Sequence, residues 1–428
     1  MKFLKNYLTK KLQKQTKKFL AHHPQLKIIA VAGSVGKTST RNAIATVLST
    51  RFKVLNNPEN HNTELSVPLT IMAIPFPEKL KSIGSWLKVL HLARKRTKKP
   101  FPFDFVVIEL STDHPGDIAD FGTYLQPDLT IVTAVSAEHM EYFGTIEAIA
   151  QEELGVGAFS KIVAINRDDV EGKFAQYLNT SSIDTYGTSG IAEYHFLPEE
   201  VTAEGFYKGK LVTPEFGEQP VSLHVLGEHS VKAVVAGAMV GAKFGLSPED
   251  VIKGVESVRP VAGRMQPLKG LMNSLIIDDS YNSSPLAAKA ALQTLYAFPN
   301  QHRIAVLGSM NEFGPYSKAA HEEVGKACDP ALLDWVITIG EDAETFLAPV
   351  AASKGCQVRS FRSALDAGAF AHSVLYPDSV VLVKGSQNGV FAEEAIKILL
   401  HSTDDEKKLV RQSPAWMQRK QATFAKFK

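Results

Sequence analysis

Residues 33–39, GSVGKTS, place two glycines, a lysine and three hydroxyl side chains directly after the apolar run KIIAVA. Gly33 and Gly36 allow the backbone N–H groups of Ser34, Val35 and their neighbours to turn into one concavity, which suits phosphate oxygens. Lys37 is placed to reach the β- and γ-phosphates of a nucleotide, and the Thr38 hydroxyl to ligate Mg²⁺, with Ser39 beside it. The strict eight-residue phosphate-loop pattern wants glycine at position 31, where valine stands, so the match is to the shorter GxxGKT form. By itself such a loop indicates an NTPase or a kinase.

The elements that must hold this loop are legible around it. KIIAVAG (27–33) reads as a buried strand ending in a glycine turn, and residues 37–50 read as the helix that follows. FVVIEL (105–110), LTIVTAV (129–135) and KIVAIN (161–166) are short runs rich in β-branched residues, as in a parallel sheet. Residues 191–227 read as short β segments with turns, and helices follow at about 229–245 and from Pro248. LIIDDS (275–280), RIAVLG (303–308), WVITIG (335–340) and VVLVKG (380–385) mark a second α/β unit, joined to the first by a hinge at RPVAGRMQ (259–266). The fold class expected is α/β: a phosphate-loop central domain with a mostly parallel sheet, plus a C-terminal Rossmann-like α/β domain. The expected division is a basic amphipathic helix over 1–26, a central ATP-binding domain over 27–258 and a C-terminal domain with a charged tail over 259–428.

Several further segments, in order from about residue 27 to residue 400, resemble the Mur ligase family, most of all its branch that adds D-alanyl-D-alanine. NHNTELSVPLT (60–70) resembles the family's Asn-rich loop through Asn62, Glu64 and Pro68, with Thr63 and Ser66 replacing the usual Asn and Gly. VVIELST (106–112) ends in Glu109, where the family places a Mg²⁺-ligating glutamate. A carboxylate at the C-terminal end of a strand also suits a hard cation, because that edge is where α/β sheets bind ligands. VSAEHMEYFGTIEAIAQEE (135–153) resembles the stretch whose histidine, here His139, binds a second Mg²⁺. Fourteen residues on, the family usually has a carbamoylated lysine; this chain has Glu153. A glutamate supplies a negative oxygen directly, so Glu153 is expected to replace the carbamate, the alternative being an exposed helix acid. AGRMQ (262–266) resembles the hinge arginine, here Arg264, that touches the γ-phosphate on closure. LIIDDSYNSSP resembles the nucleotide-holding DDSYNANP through Asp279, Tyr281 and Asn282, with Ser284 replacing an Asn. LGSMNEFG (307–314) with His321, and VLVKGSQNG (381–389) with Lys384 and Ser386, resemble substrate-placing motifs; Gln387 stands for an arginine.

The net charge of +2 hides an asymmetry. Residues 1–20 hold seven lysines and no acid, and residues 79–99 hold eight more Lys and Arg, again with no acid. Without those fifteen, 32 basic residues face 45 acidic ones. In the N-terminal stretch Phe3, Leu4, Tyr7, Leu8, Leu12 and Phe19 share a helical face. Two readings stay open for the basic stretches: interfacial helices drawn to anionic lipid, or amphipathic helices packed on the body or a basic surface that steers an anionic substrate. The second is the more common use of such helices. No aromatic platform or module accompanies the charge, so no nucleic-acid partner is expected. The N-terminus lacks the continuous apolar core of a signal peptide, and no run of about 18 apolar residues occurs. Two cysteines, Cys328 and Cys356, are too few for a disulfide framework. A cytoplasmic location is expected, with the inner membrane face as its variant.

The resemblance implies an ATP- and Mg²⁺-dependent ligase that joins a carboxylate donor to an amine through an acyl phosphate, in peptidoglycan precursor synthesis. The family's N-terminal UDP-binding domain has no counterpart before the loop at residue 33, which favours an alternative: a related amide ligase for another peptide or a polyglutamate-like polymer. A non-catalytic ATP-binding homologue is the third reading.

Overall fold

A computed structural model describes residues 2–56, 62–77, 79, 82–180 and 182–427, with side chains from Lys5 onward. The side chains of Phe3 and Leu4, residues 60–61 of the Asn-rich loop and residues 80–81 of the second basic stretch lie outside the described set. In chain order the first part forms α1 (Lys2–His22), β1 (Lys27–Ala32), α2 (Lys37–Leu48), β2 (Val54–Asn56), α3 (Ser66–Ile71), α4 (Ile83–Arg96), β3 (Phe105–Glu109), α5 (Asp117–Gly122), β4 (Leu129–Val132), α6 (Met140–Phe143), α7 (Ile146–Leu154) and β5 (Val163–Asn166). Then follow β6 (Ile183–Gly187), β7 (Tyr194–Val201), β8 (Tyr207–Thr213), β9 (Gly217–Leu223), α8 (Glu228–Lys243) and α9 (Pro248–Ser257).

These strands form one sheet in the order β2-β3-β1-β4-β5-β6-β7-β8-β9. Every pairing from β2 to β7 is parallel, and β7, β8 and β9 continue it antiparallel. The reason β1 lies inside is its composition: Ile28 to Ala32 are all buried, as a strand covered on both faces requires. Its neighbours β3 and β4 lie on opposite sides of it, so the chain leaving β1 emerges at a topological switch point, where open α/β sheets bind ligands. α2 packs against α8, whose Val231–Ala242 stretch is buried throughout, and α9 starts at a Ser247 cap with Pro248 in the first turn.

The second part forms β10 (Gln266–Lys269), β11 (Leu275–Asp279), α10 (Pro285–Ala297), β12 (Arg303–Gly308), α11 (Ser317–Ala327), β13 (Trp335–Ile339), β14 (Val358–Phe361) and β15 (Val380–Lys384). Its sheet runs β10-β11-β15-β12-β13-β14, parallel except for the β10–β11 pair. The expected α/β class with two sheets is what the chain adopts. Four strands were not expected from the sequence: β2, β6, β10 and β14.

Both basic stretches pack on the body and on each other. α1 lies against α3 and α4, burying Leu8, Leu12, Thr16 and Phe19. The Phe19 ring meets Phe101 edge-on at 5.0 Å, and His23 Nε2 lies 3.0 Å from the Lys99 carbonyl oxygen. α4 buries Trp86, Val89, Leu90 and Ala93 and leaves its lysines and arginines outward or half-buried. The tail forms a helix, Pro414–Phe424, that caps the second sheet's flank: Lys420 is buried against Glu393 and Glu394 at 2.8 and 2.7 Å. No described helix is long and apolar enough to cross a membrane.

Candidate functional site

The loop between β1 and α2 turns on two glycines at positive φ, Gly33 at 116° and Gly36 at 87°. A Cβ at Gly33 would run into the side chain and backbone of Thr133, so only glycine fits that close approach. Ser34 pins the loop to the end of β4: its hydroxyl donates to Ser136 O (3.2 Å) and accepts from Ser136 N (3.0 Å). The first turn of α2 then points its N–H groups, and the positive end of its dipole, into the cleft.

Lys37 folds over the loop and donates to the carbonyls of Gly33 and Ser34 and to Glu138 Oε1 at 3.4 Å. Burial works against its charge, but Glu138, Glu153 and Glu109 outweigh it and raise its pKa above the ordinary lysine value. Glu153, at the end of α7, is 1 % exposed and accepts the Gly33 N–H at 2.7 Å. Burial pushes its carboxyl up to about 7, against the pull of Lys37. The neighbouring Glu152 serves the fold: it accepts N–H groups from Gly116 and Ile118 at the start of α5.

Glu109, at the C-terminal end of β3, is buried. One of its oxygens accepts from the Thr38 hydroxyl at 3.4 Å and the other pairs with Arg41 at 3.2 Å. A hydroxyl and a carboxylate oxygen side by side fit Mg²⁺, which takes one or two protein oxygens and completes its shell from water and phosphate. His139 stands apart from that pair. It caps α6 at a φ of 49° and faces Glu312 at 2.9 Å and Asp113 at 3.7 Å. Burial opposes its protonation, but the Glu312 carboxylate prevails and raises its pKa. Among the described residues no group of three or more His, Cys, Asp or Glu is placed to hold a metal. Glu109, His139 and Glu153 are therefore not gathered into one ligand cluster; Glu153 faces the loop backbone.

Two cavities meet at the loop. The larger, about 790 Å³, is lined by Lys37, Thr38, Asn62, Glu109, His139 and Arg264, among others, and also takes in Asn282 and four residues of α1. The smaller, about 410 Å³, shares Val35, Gly36 and Arg264 with it and adds Ser39, Asp279 and Lys384. Arg264 lies 4.1 Å over the Tyr281 ring, close enough for a cation–π contact. Lys384 is buried on Asp279 (2.6 Å) and also donates to the Asn282 carbonyl (2.9 Å), which sets the backbone that presents Tyr281 and Asn282. Burial pulls the Lys384 ammonium below its usual range, against the opposing Asp279 charge.

His321 and Ser386 line neither cavity, contrary to the role expected for them. His321 is fully buried: Nε2 accepts from Met310 N–H at 2.9 Å, and Nδ1 lies 2.8 Å from the Ser317 carbonyl. Ser386 accepts from Asn311 N–H at 3.1 Å. Both brace the segment that carries Glu312, because a buried polar group must find its partners in the backbone around it. Sequence reasoning missed Glu138, Glu312 and the wall of the smaller cavity, where Asn166, Asp169, His229 and Lys232 stand. Lys232 holds Asp169 at 3.0 Å and Asn166 donates to Asp169 at 2.7 Å. The one signal for this wall was GEHS opening a helix, a glycine turn with a histidine at a helix N-terminus.

A family model described as the Mur ligase middle domain matches residues 31–241, and one described as the Mur ligase glutamate ligase domain matches residues 263–387. The chain is 28 % identical to the UDP-N-acetylmuramoyl-tripeptide–D-alanyl-D-alanine ligase of Bacillus subtilis over 321 residues, 74 % of this chain and 63 % of that protein. It is 28 % identical to the Escherichia coli enzyme of the same name over 330 residues, 74 % and 65 % of the two chains. The chain thus spans less than two thirds of the length of these relatives. A Thermotoga maritima MurF ligase solved in complex with ADP superposes with a TM-score of 0.74 at 22 % identity, over 95 % of this chain and 85 % of that one. The two matched segments follow the same order as the two sheets, with the loop and Glu109 in the first and Arg264, Asp279 and Lys384 in the second; the chain belongs to the Mur ligase family.

Proposed function

We propose that the protein is an ATP-dependent, ADP-forming amide ligase of the D-alanyl-D-alanine-adding kind, acting in peptidoglycan precursor synthesis through an acyl phosphate. The observation that carries this reading is a single cleft onto which the phosphate loop, the Thr38–Glu109 oxygen pair and the hinge residue Arg264 all open. The curated relatives that share this chain's two segments are ligases of that name.

The first step brings two anions together. A donor carboxylate oxygen attacks the γ-phosphorus of ATP, the bond to the β-phosphate oxygen breaks, and ADP leaves. Lys37, the N–H groups from Ser34 to Thr38 and Arg264 offset the negative charge that moves during this transfer. The family implies Mg²⁺; Thr38 and Glu109 would hold it, and when bound it neutralises phosphate charge. In the second step an amine attacks the acyl carbon, the C–O bond to phosphate breaks, and the amide forms. Water would hydrolyse the acyl phosphate, so the site must be covered before transfer. Arg264 belongs to the hinge, and the Glu312–His139 pair joins the segment after β12 to the one after β4. These contacts support a closed arrangement for the chemistry. The smaller cavity, beside Gly36 and Ser39, is the space left for the nucleoside.

Phosphate release is the test. It should require ATP, a muramoyl-tripeptide donor and D-alanyl-D-alanine together. Release with glutamate or another amine in place of the dipeptide would move the protein to the related-ligase reading. Release that needs neither donor nor amine would remove the ligase assignment.

A further inference from the structure

Resting on the ligase reading above, we infer that α1 is a wall of the donor-substrate site and that Lys10 binds an oxyanion of the donor remote from its reacting carboxylate. The helix has two inward stripes. Leu8, Leu12, Thr16 and Phe19 are buried against α3 and α4. A second stripe, Asn6, Thr9, Lys10 and Gln13, lies at i, i+3, i+4 and i+7 and lines the same cleft as Lys37 and Arg264. The start of the helix is held in place by the Lys5–Glu64 ion pair at 2.6 Å, and Glu64 belongs to the loop that carries Asn62.

The chemistry of that stripe is specific to it. The cleft walls elsewhere are rich in carboxylates, including Glu109, Asp113, Asp117, Asp120, Glu138 and Glu312. Lys10 is exposed, with no ion pair found for it among the described residues. Two amides and a hydroxyl flank it, groups that donate to oxyanions without adding charge. A cation set apart from the phosphate loop in an otherwise acidic cleft favours a donor with two anionic ends. One end would react at the loop and the other would rest on α1. Two donor groups share this chemistry, a diphosphate linker and a second peptide carboxylate.

The test is equilibrium binding of UDP-N-acetylmuramoyl-tripeptide and of N-acetylmuramoyl-tripeptide without the nucleotide, by titration calorimetry on the full chain. Lys10→Glu is expected to weaken donor binding at least tenfold and Lys10→Ala at least threefold. Lys10→Arg should stay within threefold of the native chain, and binding of a nonhydrolysable ATP analogue should not change in any variant. Weakening confined to the nucleotide-bearing donor assigns Lys10 to the diphosphate; weakening of both donors assigns it to the peptide carboxylate. The inference is overturned by unchanged donor binding in Lys10→Glu, by no binding of either donor to the native chain, or by an equal loss of the ATP analogue. Donor-dependent phosphate release by the native chain is measured separately. Its absence alongside Lys10-dependent donor binding would remove the ligase reading and leave this site standing.

Discussion

Lys37 and Glu153 are enclosed beneath one loop; burial raises the pKa of the Glu153 carboxyl against the pull of Lys37, while burial opposes the Lys37 charge and nearby carboxylates, Glu138 foremost, raise its pKa. Lys37→Ala should cut donor- and amine-dependent phosphate release at least about a hundredfold, the scale of losing one preorganised charge at a transferring group. Circular dichroism should show the fold retained. Glu153 makes a different expectation. Its folded value of about 7 lies above the ordinary 4.5, so the native state keeps a proton that the unfolded chain has already released. Stability should therefore fall as pH rises from about 4.5 to about 7 and level off above that. Glu153→Gln keeps an acceptor for the Gly33 N–H and should flatten that slope, gaining melting temperature over the native chain as pH rises. Parallel pH profiles for the two proteins would dismiss the buried-acid account. An unchanged Mg²⁺ requirement in the same variant would dismiss Glu153 as the stand-in for a carbamate. Glu109 was readable from its place at a strand end. The contact between Glu153 and Gly33 was not, because it joins residues 120 apart in sequence.

At the scale of elements, the strands that sequence reading found are those buried on both faces, such as VVLVK at β15 and VAIN at β5. β2, β10 and β14 lie at sheet edges, and their short, half-buried sequences carry no continuous apolar run. The tail was equally opaque, and the structure gives it work. Arg411 donates to the carbonyls of Ser280 (2.7 Å) and Tyr281 (3.0 Å) while paired with the fully buried Glu393. Through that backbone it supports the Tyr281 ring on which Arg264 lies. Arg411→Ala should cost about 3 kcal/mol in urea unfolding, the low end for breaking a buried pair because Lys420 still faces Glu393. It should also raise the KM for ATP while Arg411→Lys recovers part of the loss. In α1, Leu12→Ala should cost about 3 kcal/mol, as a fully buried leucine truncation does. A cost below about 1 kcal/mol in the same denaturation would mean that α1 is not docked as described.

Over the whole molecule, the basic stretches decide how the surface behaves. Leu8, Leu12, Thr16 and Phe19 of α1 are committed to the body, and lysines make up much of its exposed surface, with Tyr7 also exposed. Attraction to anionic membrane through the lysines is then electrostatic, and about 1 kcal/mol per basic residue near the surface is screened as salt rises. Co-sedimentation with phosphatidylserine vesicles should be detectable at low salt and lost at physiological ionic strength. Retention at physiological salt would mean that α1 leaves the body and inserts its apolar face. The His139–Glu312 contact links the two parts of the molecule at the site, and the Arg264–Tyr281 stack lies within the second part.

Local spacing determined the phosphate loop, the α/β class and the order of the motifs, because glycine turns, strand burial and helix starts depend on residues within a few positions of one another. Tertiary structure decided what each charge faces: Glu153 the loop, His139 the second sheet's Glu312, Arg411 the backbone at 280–281, and the polar stripe of α1 the cleft. Those pairings join distant parts of the chain through space, and the buried charges among them are tolerable only where the fold brings a counter-charge or an N–H to meet them.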